Sequence, residues 1–195
     1  MSSILLLYFS KHGGTASMAE EIRMGAESEP ACEVIQRCLP EVSSTTEQLC
    51  NTVPETGQPY ATIDDLKHCD GLIIGSPGYF GNMSASLKYF LDQTSTLWLS
   101  GALIGKPAAV FTSTSTMHGG QESVLLSMML PLLHHGMLIS GIPYSESALF
   151  NTQSGGTPYG ASHIAGSNGK KLTDDEIRAC RTLGKRIAIL SQKLR

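Results

Sequence analysis

Residues 4–18 constrain the fold of this chain more than any other stretch. They open with the continuous apolar run ILLLYF at 4–9, pass through a polar loop at 10–15 and enter a helical pattern. A run without alternation is typical of a strand buried on both faces, as in a parallel sheet covered by helices. A strand, a tight loop and a helix N-terminus make a ready anion site, because unpaired amides and the positive end of the helix dipole point to one place.

The chemistry of this loop narrows the anion that it could hold. The loop consists of Ser10, Lys11, His12, Gly13, Gly14 and Thr15. Its two hydroxyls are donors, and its glycines let a phosphate approach the backbone. It carries neither the dinucleotide pattern G-x-G-x-x-G nor the P-loop pattern G-x-x-x-x-G-K-[ST]. The loop therefore suits a phosphate monoester, as on FMN, although an ordinary turn between strand and helix would use the same glycines.

Composition limits the class of protein. The 195 residues, 41% hydrophobic and 16% charged, predict a single domain spanning residues 1–195. A net charge of -3 gives no nucleic-acid footprint and no polybasic membrane patch. No apolar run approaches the roughly 18 residues of a membrane span. We expect no signal peptide, because the residues before the first strand are too few and carry no basic region. The five scattered cysteines indicate reduced thiols in the cytoplasm, and neither they nor the histidines show metal-ligand spacing.

The remaining chain alternates strands and helices. Further strands are predicted at 33–39, 71–75, 107–112 and 137–140, and helices at 17–27, from 62, at 84–93, at 121–135 and from 173. Pro131 should kink or break its helix. Polar segments at about 40–61 and 141–170 are predicted as insertions, and 94–105 as a connection. This alternation predicts an α/β protein with a doubly wound, five-stranded parallel sheet in the flavodoxin-like order 2-1-3-4-5.

Three loops follow strands of this sheet and should meet at its carboxyl edge. The second loop contains Pro77, Gly78, Tyr79, Phe80 and Asn82, and its two aromatic side chains could flank a flat ring or simply pack. The third loop offers hydroxyls and backbone donors for a polar ring edge and consists of Ser113, Thr114, Ser115, Thr116, Met117, His118 and Gly119. Together with the first loop they describe a phosphorylated, flat ligand with a polar edge, and FMN fits that description.

Several motifs resemble those of one family. They include FLDQT at 90–94, HHGM at 134–137 and GGTPYGA at 155–161. In these segments, and along nearly its whole length, the chain resembles the WrbA-type flavoproteins, which are FMN-dependent NAD(P)H:quinone oxidoreductases. The resemblance implies a flavodoxin-like fold with insertions, a homotetramer, and transfer of two electrons from NAD(P)H to a quinone.

The resemblance also implies roles for individual residues. Residues 10–15 would hold the FMN phosphate, while 78–80 and 113–118 would line the ring. His134 would lie near the ring, Trp98 would border the substrate space, and His12 would contact the nicotinamide donor. The chain departs from the family at the ring-side loop, where PGYFGN replaces PTRFGN, so that Tyr79 stands in place of an arginine. The third loop has fewer glycines than usual.

The residues leave some alternatives open. Flavin carries hydride chemistry itself, so we expect no obligatory catalytic side chain, with His134 as the one possible candidate, and ping-pong kinetics at one flavin face. His134 could instead close a helix C-terminus, and Trp98 could be a core or interface residue. From the residues alone, the roles of His118 and His163 stay open. An electron-carrying flavodoxin or a scaffold flavoprotein without its own substrate are the alternative functions.

Overall fold

One parallel sheet organises the structure, which is a computed structural model that describes residues 1–43, 45, 54 and 56–195. Its strands are β1 (Ser2–Tyr8), β2 (Cys32–Cys38), β3 (Gly71–Pro77), β4 (Pro107–Thr114), β5 (Leu138–Ile139) and β6 (Ala161–Ile164). They lie in the order β2-β1-β3-β4-β5, and β6 also pairs with β4. All these pairings are parallel. The predicted flavodoxin-like strand order is confirmed.

The central strands are buried on both faces, as the unbroken apolar run predicts. In β1, Leu5 and Leu7 belong to one hydrophobic cluster, whereas Ile4 and Leu6 belong to the other. The strands β3 and β4 divide their side chains between the two clusters in the same alternating way. Because successive strand residues point to opposite faces, an apolar residue at every position builds two cores at once.

The far edge of the sheet differs from the prediction. The strand β5 pairs only with the start of β4, while β6 pairs with its end, from Phe111 to Thr114. The predicted loop at 141–170 therefore contributes a sixth strand and a short helix. Hydropathy does not mark β6, because its centre is the polar pair Ser162 and His163. Both are buried through side-chain partners that lie far away in sequence.

Helices cover both faces of the sheet. They are α1 (Gly14–Glu27), α2 (Ile63–His68), α3 (Ala85–Asp92), α4 (Ser95–Ser100), α5 (Gln121–His134), α6 (Ala148–Asn151) and α7 (Asp174–Leu194). The helices α1 and α7 pack on one face, and α2 to α5 contribute their apolar residues to the other. The N-termini of α2 and α7 each carry a complete capping box, led by Thr62 and Thr173.

The helices α1 and α7 approach each other at two glycines. A Cβ atom on Gly184 would lie 1.9 Å from the carbonyl oxygen of Ile22, and one on Gly25 would lie 2.1 Å from that of Arg181. These distances are far below any van der Waals contact, so the backbones meet where side chains are missing. The contact fixes the first helix against the last one.

One helix is added to the prediction, and another is longer than a break would allow. The connection at 94–105 contains α4, which the sequence hides because it is only six residues long. The helix α5 continues through Pro131 to His134, so of the predicted kink or break the break does not occur. Proline in a helix interior costs about 3 kcal/mol, and the buried side chains of Val124, Leu125, Met128 and Leu132 on the same helix offset that cost.

The predicted insertion at 40–61, including Cys50, lies partly outside the described residues. Its described end returns to the sheet, where Cys38 donates its amide to the carbonyl of Pro59 (3.0 Å) and accepts from the amide of Ala61 (2.9 Å). Among the helices of the described ranges, none has the length and apolarity that a bilayer crossing requires.

Candidate functional site

A cavity of about 480 Å³ opens at the carboxyl edge of the sheet. The three predicted loops supply Ser10, Lys11, His12, Gly13, Gly14, Thr15, Pro77, Gly78, Tyr79, Ser113, Thr114 and Ser115, and a fourth segment at 163–172 completes the wall. The structure therefore brings together the parts of the loops nearest the strands. The lining contains lysines and histidines but no carboxylate among the described residues, which favours an anionic ligand.

The first loop ends in an open helix N-terminus. Gly13 has a φ of 87° and caps α1 without a side-chain hydrogen bond. Ser10 Oγ accepts from the amide of Ala16 (3.2 Å), and Gly13 O accepts from that of Ser17 (2.9 Å). Among the described residues, the amides of Gly14 and Thr15 have no hydrogen-bond partner. Two free amides at the positive end of a 14-residue helix fit a phosphate.

Gly14 keeps this part of the cavity open. A Cβ atom there would lie 2.7 Å from Ser113 Oγ and 3.4 Å from the ring carbon Cδ2 of His163. A side chain at residue 14 would therefore fill the space between the first loop, β4 and β6. The missing Cβ and the free amides together fit the phosphate end of FMN.

The second loop forms a tight turn at the cavity rim. The amide of Gly78 donates to Ser113 O (2.9 Å), and Tyr79 and Asn82 exchange two backbone hydrogen bonds of 2.9 Å each. Tyr79 lines the cavity and is 40% exposed. Phe80 has a φ of 51° and is fully exposed beyond the cavity wall, and Asn82 accepts from the amide of Met83 (2.8 Å).

The third loop divides into two parts. Ser113, Thr114 and Ser115 line the cavity, whereas Thr116, Met117 and His118 are exposed and do not line it. Gly119 is packed against Thr114, where an added Cβ would lie 2.8 Å from Thr114 Cβ. Within one chain, therefore, only the first half of this loop faces the predicted ligand space.

Trp98 and His134 lie together in a different cavity. This second cavity has a volume of about 380 Å³, and it also contains Thr94, Pro131 and His135. His135 Nε2 contacts Thr94 Oγ1 at 2.8 Å, while its buried Nδ1 has no partner among the described residues. Burial and, to a smaller extent, the charge of His134 lower the pKa of His135. Within one chain, Trp98 and His134 therefore do not line the same cavity as the three loops.

The wall at 163–172 is the part of the site that sequence reasoning missed. Its anchor is Glu176, which is fully buried and accepts five hydrogen bonds. The donors are Ser154 Oγ (2.8 Å), Gly155 N (2.9 Å), Ile164 N (3.1 Å), Thr173 N (2.8 Å) and His163 Nδ1 (2.9 Å). The sequence shows Glu176 only as the last residue of a capping box, and no spacing rule connects it with His163.

These contacts set the ionisation of Glu176. Burial alone would raise the pKa of this carboxyl, but the hydrogen bonds, led by the one from His163, lower the pKa to about 2. Glu176 is therefore a carboxylate throughout the neutral range, and the five donors bind an anion rather than an acid.

A comparison with known families decides the classification. The model of the NADPH-dependent FMN reductase family matches residues 3–147, which include β1 except its first residue, all of β2 to β5 and all three strand-end loops. The chain belongs to this FMN reductase family. A curated relative, the NAD(P)H dehydrogenase (quinone) of Geotalea daltonii, is 42% identical over 98% of this chain and 97% of its own length. The predicted WrbA-type family and FMN as its flavin are thereby confirmed.

Solved structures agree on the fold of this FMN reductase family member. A WrbA-like flavodoxin from Agrobacterium tumefaciens superimposes with a TM-score of 0.69 over all of both chains, at 20% identity. Flavodoxin 2 from Bacillus cereus gives a TM-score of 0.61 at 18% identity, covering 98% of this chain and 99% of its own. These structures show the flavodoxin-like fold, and the family match makes the chain an oxidoreductase. The described residues contain no cluster that could hold a metal ion.

Proposed function

We propose that this protein is an NAD(P)H:quinone oxidoreductase that holds FMN in the 480 Å³ cavity. The observation that supports this most is the open N-terminus of α1 beside Gly14, where free amides and missing side chains suit a phosphate. The 42% identical relative named NAD(P)H dehydrogenase (quinone) supports the choice of substrates.

The chain's own residues would bind and orient the cofactor and its substrates. The amides of Gly14 and Thr15, with the hydroxyl of Thr15, would hold the phosphate, while Pro77–Tyr79 and residues 113–115 would lie along the flavin. His12, at the rim of the cavity, would contact the nicotinamide donor. Bound FMN supplies hydride transfer. No side chain needs to exchange protons with substrate. Because the nicotinamide and the quinone are both flat and would stack on the same ring face, they would occupy it in turn, by a ping-pong scheme with two electrons per cycle.

We also propose that the active unit is a homotetramer. Leu130 and Leu133 on α5, together with Trp98, Leu99 and Ile104 near α4, leave large apolar side chains exposed. Such a surface is typical of a protein interface. A second copy docked there could carry Trp98 and His134 to the mouth of its neighbour's cavity. This would explain why, within one chain, both residues lie apart from the three loops.

A cytoplasmic location is part of the same proposal. Cys32, Cys38, Cys69 and Cys180 are free thiols in the structure. Burial raises the pKa of Cys69 to about 11. Four free thiols without a disulfide among them suit a reducing compartment.

The test combines a spectrum with a rate. Purified protein mixed with FMN should show a perturbed flavin spectrum, and it should oxidise NADH or NADPH quickly only when a benzoquinone is present. Initial-rate plots at several quinone concentrations should give parallel lines. Bound flavin without quinone-dependent turnover would favour the electron-carrier function, and absence of bound flavin would refute the proposal.

A further inference from the structure

His163 is a buried basic residue in the wall of the cavity. It lies in β6 opposite Ser113 of β4, and only 1% of it is exposed. Its ring carbon Cδ2 faces the space above Gly14. The residue thus sits between the phosphate end of the cavity and the body of the protein.

Both ring nitrogens of His163 face acceptors. Nδ1 lies 2.9 Å from Glu176 Oε2, and Nε2 lies 3.1 Å from the carbonyl oxygen of Lys170. A carboxylate and a carbonyl can only accept, and a neutral imidazole has a single N–H. Only the imidazolium form, with a proton on each nitrogen, satisfies both contacts.

The surroundings of the ring balance this charge. From α7, Glu176 supplies a buried carboxylate, and Cys180, one turn further along, is a buried thiol whose pKa is raised by burial and by that carboxylate. The neighbouring positions on β4 and α1 are the uncharged Ser113 and Gly14. A buried carboxylate needs a paired charge, and His163 is the ionisable side chain that contacts it.

The second contact of His163 reaches the segment at 165–172. This segment follows β6, where the amide of Ala165 donates to Thr114 O (2.8 Å), and it turns back as the amide of Lys170 donates to Ala165 O. Gly166 and Gly169 both have a φ of 65°. The side chain of Lys170 lies against Gly166, and Lys170 and Lys171 both line the cavity.

We propose that His163 is a positioning residue: as an imidazolium bonded to Glu176, it holds the Lys170 carbonyl and so keeps Lys170 and Lys171 beside the FMN phosphate. This inference rests on the proposed placement of the phosphate at Gly14. The imidazolium therefore acts on affinity for the phosphate group, through the two lysines, and not on the flavin ring.

The first experiment compares FMN with riboflavin, which lacks the phosphate. Dissociation constants are measured by fluorescence quenching for the wild type and for His163→Gln, which is uncharged and can donate to one of the two acceptors at a time. Loss of a charge-assisted hydrogen bond should weaken FMN binding about tenfold and riboflavin binding by less than about twofold. Equal losses for both ligands would show a purely structural role and overturn the inference.

A double-mutant cycle tests the route through the lysines. The variant with Lys170→Gln and Lys171→Gln should lose FMN affinity selectively, and adding His163→Gln to it should cost little more. Lys185→Gln with Lys193→Gln changes the net charge equally on exposed positions of α7 and should leave both affinities unchanged. A full additional loss from His163→Gln in the lysine-free background would refute the proposed route.

Nitrogen NMR of the wild-type protein tests the charge without a substitution. With FMN bound near neutral pH, both ring nitrogens of His163, assigned through contacts with Gly14, should carry protons. An unprotonated ring nitrogen would overturn the inference. If the wild type binds FMN no better than riboflavin, the phosphate placement itself is wrong, and this outcome is distinct from FMN selectivity that survives in His163→Gln.

Discussion

Glu176 joins three separate segments through one carboxylate. It binds the backbone at residue 155, the strand residues 163 and 164, and the cap of its own helix at Thr173. The buried donors at Gly155 and His163 would otherwise be unpaired in the interior, where an unsatisfied group costs about 1–3 kcal/mol. Glu176 thus allows the polar strand β6 to be buried at the edge of the sheet.

Glu176→Gln should change the acid stability of the protein. Folding lowers the pKa of this carboxyl from 4.5 to about 2, so Glu176 adds stability that is fully present above pH 4.5 and is lost as the pH falls towards 2. The variant should be less stable at neutral pH, and its free energy of unfolding should depend less on pH across that window. Urea unfolding at several pH values between about 6 and about 3 measures this.

Glu122→Gln provides the matched control, because Glu122 is exposed in the first turn of α5. It should keep the wild-type dependence on pH. If both variants retained the wild-type slope, Glu176 would not be the group that links folding to acid.

Trp98→Ala should separate substrate binding from cofactor binding. In the proposed assembly Trp98 borders the quinone space of a neighbouring chain, so its loss should raise the KM for quinone several-fold, by about 1 kcal/mol or more of lost contact, with FMN affinity nearly unchanged. Steady-state kinetics and flavin titration measure the two effects. Equal loss of both would contradict this placement.

His134→Ala is the companion variant at the same site. Because we assign no obligatory proton transfer to it, kcat should stay within about tenfold of the wild type. A protein that still binds FMN but has lost all turnover would show that His134 is a catalytic residue.

At the scale of elements, the first and last helices depend on two glycines. Gly184→Ala places a methyl group 1.9 Å from the carbonyl oxygen of Ile22, so α1 and α7 must separate. Alanine gains about 1 kcal/mol in helix propensity, but overpacking should exceed this and leave a net loss of about 2 kcal/mol. Thermal or urea unfolding gives the value.

Lys185→Ala on the next residue serves as the control. Its ammonium group pairs with Glu29 at 3.1 Å on the surface, and such exposed pairs contribute less than about 1 kcal/mol. A Gly184→Ala variant as stable as Lys185→Ala would mean that the two helices can shift apart without cost.

Elements also show where prediction from sequence succeeds and where it stops. The central strands could be found because Leu5, Ile73 and Val110 lie in apolar runs that only a sheet covered on both faces can bury. The strand β6 could not, because Ser162 and His163 are polar, and their burial depends on Gln121 and Glu176. Long-range pairing of this kind leaves no periodic signal in the local sequence.

The same limit applies to the candidate site. Residues 10–15 could be selected as candidates from the sequence, because they place hydroxyls and glycines at the end of a buried strand. The segment at 165–172 did not, because its place in the cavity wall follows from the contacts of His163 and Glu176 rather than from its own residues. Roles for Trp98 and His134 could be assigned only through the family resemblance. Within one chain these two residues line a different cavity from the three loops.

At the scale of the whole molecule, the apolar surface of α5 should control assembly. Leu130 and Leu133 are 62% and 55% exposed. Replacing both with glutamate would place charges in the proposed interface, and unpaired interface charges cost several kcal/mol. The variant should form a smaller species by light scattering, bind FMN more weakly and lose most quinone reduction, with its secondary structure intact.

Replacement of the exposed Lys185 and Lys193 on α7 with glutamate changes charge on another part of the surface and should leave the molar mass unchanged. A wild type that is monomeric at micromolar concentration, or a leucine variant with the wild-type mass, would contradict the proposed tetramer.

The dependence of the cavity wall on α7 has a consequence for biosynthesis. The loop at 10–15 and the helix α1 leave the ribosome first, but the fourth wall stays untied until Glu176 has emerged, and α1 gains its close-packed neighbour only with Gly184. A nascent chain shorter than this lacks the contacts that tie the segment at 163–172, and it lacks the helix that packs beside α1 on one face of the sheet. We therefore expect FMN, held as proposed, to bind only after the last helix has docked.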